Sequence, residues 1–179
     1  MIAVKALHAQ IINHLSIRLG IAFNSCFSFS PNSKSNKFSK KFNMYKPPHL
    51  INFPRIGNTM QGYISVSENS TLPFEVNRVY WTYYTPESIS RGGHAHHQLE
   101  QILVAVAGKI IVETEMPGGD KERFILESPN VGLLMPKYCW HIMQYTHNAV
   151  QMCIANIAYD EKDYIRDYDE FLKLPVEAL

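Results

Sequence analysis

The first 50 positions contain no acidic residue, although they carry seven Lys or Arg. From residue 51 onward ten basic side chains face sixteen acidic ones, so the rest of the chain is net negative. That balance excludes a nucleic-acid surface, which needs clustered positive charge, but a small anionic ligand needs only two or three placed arginines. Long apolar runs are also missing. IINHLSIRLGIAF is interrupted by Arg18 and falls short of the roughly 20 apolar residues that span a bilayer, so no membrane segment is expected. Cysteine is scarce and unpaired in pattern: Cys26, Cys139 and Cys153 form no CxxC, which argues against a disulfide framework or zinc ribbon and fits a reducing compartment, the cytoplasm.

What remains is ordinary globular material. With 179 residues, 46% hydrophobic and 18% charged, the chain can build one well-buried domain but not two generous ones. Residues 1–50 are rich in Ser, Asn and Lys without a steady period. They are expected to form a disordered or irregular extension, a transit-like leader, or sequence upstream of a true start at Met44. Residues 51–179 are expected to form the functional domain.

From residue 51 the texture is β. GYISVSE, EVNRVYWTYY, EQILVAVAG, KIIVETEM, ERFILE, VGLLMP, HIMQYT and AVQMCIANI recur at even spacing between turn-forming pieces, as in a sandwich or barrel of eight or more strands. Gly108-Lys109 between apolar runs reads as a hairpin, and MPGGDK as a longer turn. Only DEKDYIRDYDEFLK departs, placing Tyr164, Tyr168, Phe171 and Leu172 at helical spacing and predicting a C-terminal helix.

The chemistry concentrates in RGGHAHH, Arg91 to His97. On a strand His94 and His96 share one face while His97 points away to solvent. Two readings stay open at this point. One is a metal site in which His94 and His96 join a carboxylate, a donor set suited to iron, manganese, nickel or zinc. The other is an acid–base pair, since imidazole titrates near neutral pH. Where the HxH unit resembles the first cupin motif, that motif's ligand Glu is expected at the position of Gln101, and the neighbouring Glu100 faces the other way on a strand.

The HxH unit with Gly108, and Gly132, Pro136 and His141 further on, resemble the two motifs of the cupin superfamily, with Tyr138 at a position usually held by Gly. A longer stretch, Asn52 to Phe171, resembles the sugar 3,4-ketoisomerase family in three places: LPFEVNRVYW, RGGHAHHQLEQILVAVAG and IAYDEKDYIRDYDEF. The resemblance implies an all-β fold, a cupin-type jelly-roll barrel with a C-terminal helix. It implies an isomerase that moves the keto group of dTDP-4-keto-6-deoxyglucose from C4 to C3 without metal or other cofactor, on the way to 3-amino sugars of bacterial surface glycans. It also implies a homodimer. Asn58 and Gln61 stand where the family commonly has an Asp and an Arg.

A C4-to-C3 ketoisomerase must remove a proton from C3, pass through an enediol and protonate C4. His96 is assigned as the main base and His94 as its partner. Arg91 is a candidate for bidentate contact with sugar oxygens or diphosphate, and Arg78 with Tyr80 on one strand face could present a cation and a phenol to the same ligand. Tyr138 and Trp140 could offer stacking surface at the barrel mouth. The alternatives are a metal-dependent cupin using His94, His96 and His141, or a cupin that binds a sugar nucleotide without turnover.

Overall fold

The computed structural model describes residues 46–176. The expectations for residues 1–45 fall outside the described residues. Among the described residues twelve strands run in order: β1 His49–Asn52, β2 Arg55–Asn58, β3 Gly62–Ser65, β4 Arg78–Thr82, β5 Arg91–His96, β6 Gln101–Ala107, β7 Ile110–Glu115, β8 Lys121–Leu126, β9 Val131–Met135, β10 Trp140–Tyr145, β11 Val150–Ala155 and β12 Tyr164–Ile165. One short helix follows, α1 Tyr168–Leu172. Two five-stranded antiparallel sheets, β1-β9-β6-β11-β4 and β12-β5-β10-β7-β8, face each other, and β2-β3 forms a separate hairpin. This is the expected jelly-roll arrangement.

Alternation along the strands fills three apolar layers. Leu103, Ile110, Val112, Leu126, Leu133 and Met143 meet between the sheets. On the outer face of the first sheet Ile102, Val104, Leu134 and Ile154 pack under Leu72, Phe74 and Val76 of the long β3–β4 connection. Because β6 feeds both layers, its run ILVA is buried throughout, which explains a continuous rather than alternating apolar sequence. On the outer face of the second sheet Ala95, Trp140 and Ile165 receive Phe171 from α1.

Two expectations are corrected. Gly108-Lys109 joins β6 to β7, but these strands belong to different sheets, so the link is a corner and not a hairpin. Gly108 takes φ +67°, and a Cβ there would lie 2.6 Å from Ala149 Cα, so only glycine lets the chain turn this tightly. The longer turn through Gly118 and Gly119 does connect paired strands, β7 and β8.

The C-terminal stretch is not one helix. A 3-10 turn, Glu161–Asp163, begins at an Asp160 cap, β12 then joins β5, and Asp167 caps a new start by accepting the Asp169 and Glu170 N–H groups. Pairing of Tyr164 with His96 and of Ile165 with Ala95 outweighs helical propensity in the middle of the segment.

Phe171 is fully buried beneath this segment. Phe171→Ala should lower the unfolding free energy by ~3–5 kcal/mol in urea titration. A loss below about 1 kcal/mol would show that α1 is not seated on the sheet.

Candidate active site

The site begins with a register irregularity. His141 on β10 pairs with His94 on β5, but the next residue, Ile142, pairs with Gly92, so Gly93 is an extra residue in β5. In an even strand Arg91 and His94, three apart, would face opposite sides; one inserted residue puts both on the inner face. Glycine permits it. Gly92 and Gly93 have φ +89° and +69°, and a Cβ on Gly92 would sit 2.5 Å from the His141 carbonyl oxygen.

The result is a cavity of about 420 Å³ between the sheets. β4 contributes Arg78, Tyr80 and Thr82 to its wall, β5 contributes Arg91 and His94, and β10 contributes His141. The C-terminal segment closes one side with Tyr159 and Tyr164. His94 sits at the centre of a ring cluster, its centroid 4.6 Å from that of His141 and 5.0 Å from that of His96. The Tyr164 ring lies 4.3 Å from His96 and 5.0 Å from His94.

His96, assigned from the sequence as the main base, is 4% exposed and lies behind His94 instead of lining the cavity. Its Nδ1 is 3.0 Å from Asp163 Oδ2. His141 Nδ1 lies 3.1 Å from the Cys139 carbonyl oxygen. His94 Nδ1 is buried without a hydrogen-bond partner. Burial lowers the pKa of all three histidines, to about 3 for His96 and His141. For His96 the neighbouring His94, Arg78, Arg166 and His97 push the same way as burial. At neutral pH the cluster therefore holds neutral imidazoles that can accept a proton.

Around them the polar groups are arranged in pairs. Gln101 Oε1 accepts the Tyr80 hydroxyl at 3.0 Å and the Cys153 thiol at 3.1 Å. Burial first, then Cys153, raises the Tyr80 pKa, which keeps the phenol protonated. Arg78 lies 5.1 Å from the Tyr80 ring centroid and 5.8 Å from that of Tyr159, with a buried Nε that has no hydrogen-bond partner. Among the described residues no group of three His, Cys, Asp or Glu is arranged to hold a metal ion. His97 is exposed, against Tyr138.

Tyr138 and Trp140 do not line the cavity, contrary to the sequence expectation. With His141 facing inward, strand alternation sends Trp140 outward, onto Tyr168 and Phe171. Tyr138 packs between two core clusters with φ +61°, a left-handed conformation that accounts for the usual Gly at this position, and its N–H donates to the His96 carbonyl at 2.7 Å. The residues missed in the sequence are Asp163, Tyr164 and Tyr159. All three stand in the IAYDEKDYIRDYDEF segment whose pattern was legible, but a helical reading hid their inward contact.

A family model for FdtA, described as WxcM-like, C-terminal, matches residues 46–175. The TDP-4-oxo-6-deoxy-alpha-D-glucose-3,4-oxoisomerase of Aneurinibacillus thermoaerophilus is 38% identical over 125 residues, covering 69% of this chain and 89% of that protein. A 3,4-ketoisomerase structure from Helicobacter canadensis matches 75% of this chain and 100% of its own at 34% identity and TM-score 0.69. A histidine-to-asparagine mutant of the 3,4-ketoisomerase QdtA from Thermoanaerobacterium thermosaccharolyticum, in complex with TDP-4-keto-6-deoxyglucose, matches 72% of this chain and 94% of its own at 30% identity and TM-score 0.67.

The buried histidines have a consequence for stability. Between their folded pKa near 3 and the unfolded value near 6.5 the unfolded chain binds more protons, so acid favours unfolding. Stability should fall as pH drops below about 6.5, by ~1.4 kcal/mol per pH unit for each such histidine. Urea titrations between pH 8 and pH 5 measure this, and a flat profile would show that the histidines are not held neutral.

Proposed function

The chain belongs to the FdtA family of sugar 3,4-ketoisomerases, and from that membership we propose that it moves the keto group of dTDP-4-keto-6-deoxyglucose from C4 to C3 by histidine acid–base catalysis. The observation that carries this reading is the neutral histidine cluster on the wall of a cavity that also holds Arg78 and Arg91. The reaction needs no electron partner: a proton leaves C3, the electron pair forms the C3–C4 double bond of an enediol, and a proton returns at C4 while C3 becomes the carbonyl.

His94, as the histidine on the cavity wall, takes the C3 proton; this reverses the division expected from sequence spacing. His96, buried behind it with its ring centroid 5.0 Å away, exchanges protons with the sugar oxygens by way of His94. Arg78, with an unpartnered Nε, and Arg91 supply positive charge for the diphosphate and for the oxygen that becomes anionic in the enediolate. Tyr80 remains a neutral phenol that can donate to or accept from a sugar hydroxyl. In this reading the 3-keto product supplies a C3 transamination, the enzyme works in the cytoplasm, and exposed Trp81, Ile56 and Ile64 belong to a homodimer contact.

Proton NMR of dTDP-4-keto-6-deoxyglucose incubated with the enzyme in deuterium oxide tests the reading. The 3-keto isomer should appear with deuterium at C4, and His94→Asn should slow it by about two to four orders of magnitude. Binding without turnover would leave a sugar-nucleotide-binding protein, and retained turnover in both His94→Ala and His96→Ala would remove the histidine mechanism. Treatment with a chelator should leave the wild-type rate unchanged. Loss of activity restored by a divalent ion would establish the metal reading through His94, His96 and His141.

A further inference from the structure

We propose that Asp163 is a positioning residue that holds His96 in one tautomer, with the hydrogen on Nδ1 and the lone pair on Nε2. The role of that lone pair in catalysis rests on the reading above; the tautomer itself does not. Asp163 is 7% exposed and its carboxylate is fully engaged: Oδ1 accepts the Gln98 N–H at 2.7 Å, and Oδ2 accepts the Leu99 N–H at 3.3 Å and faces His96 Nδ1 at 3.0 Å. A carboxylate taking two backbone N–H groups can only accept, so the imidazole nitrogen facing it must carry the hydrogen.

The backbone fixes the carboxylate in place. The Asp163 carbonyl accepts the His97 N–H at 2.9 Å, its own N–H donates to the Asp160 carbonyl at 3.2 Å, and the next residue, Tyr164, pairs with His96 across β12 and β5. The residue that sets the tautomer thus sits one position before the strand that pins the histidine it serves. Asp163 has no place in the wall of the cavity, so its effect passes through His96. Each time Nε2 takes a proton, the resulting imidazolium lies beside a carboxylate already oriented toward it, with no reorganisation needed.

Asparagine is the informative substitution. Its oxygen can keep the short Gln98 bond only by turning its NH₂ toward His96 Nδ1, which then has to accept and moves the ring hydrogen to Nε2. In enzyme labelled with ¹⁵N-histidine, NMR of the ring nitrogens of wild-type His96 should show a protonated Nδ1, and Asp163→Asn should show a protonated Nε2. In the same variant kcat should fall by about two to four orders of magnitude while TDP affinity stays within about twofold. Asp163→Glu should recover part of the rate.

A purely structural anchor would lower stability and TDP affinity together without exchanging the tautomer. Wild-type His96 protonated at Nε2 would overturn the proposal whether or not the variant folds, and so would Asp163→Asn with unchanged kcat. Wild-type Nδ1–H together with absent isomerase turnover would remove the catalytic reading and leave the tautomer assignment standing.

Discussion

The pairing of His94 with His141 across β5 and β10, one residue out of phase with the rest of the ladder, is the constraint on which the site depends. Without the extra residue at Gly93, either Arg91 or His94 would leave the inner face, and cation and imidazole could not share a cavity. The close approach of Gly92 to the His141 carbonyl shows how little room the arrangement leaves: a single methyl group would force the strands apart. Backbone geometry, set by two glycines, thus decides which side chains can meet.

Burial then decides what those side chains can do. Three imidazoles withdrawn from water are costly to charge, so they rest as neutral acceptors, while Tyr80 rests as a neutral phenol. Positive charge comes from the arginines. In the proposed reaction the arginines hold anionic oxygen and the histidines move protons, two tasks that chemistry at a sugar diphosphate demands together. Gln101 fits the same logic, because it ties Tyr80 and Cys153 together without adding the negative charge that a glutamate would bring beside the histidines.

Much of this was legible in the chain. The β-branched and aromatic runs marked eight strands, and HAH marked a shared face. The strands HLIN and RIGN were not among those runs. The corner at Gly108-Lys109 looks like a hairpin because a two-residue link cannot reveal whether its flanking strands pair with each other. Trp140 and Tyr138 were misplaced for want of the inward phase of β10, which only the pairing of His141 defines. Asp163 lies 67 positions from His96, and no local period connects two residues that meet through sheet pairing at that distance.

The most direct test is a crystal structure of a His96→Asn variant with dTDP-4-keto-6-deoxyglucose bound. The account requires C3 of the sugar within about 3–3.5 Å of a His94 ring nitrogen, with the diphosphate toward the arginines. A sugar bound with C3 and C4 turned away from His94 would contradict it.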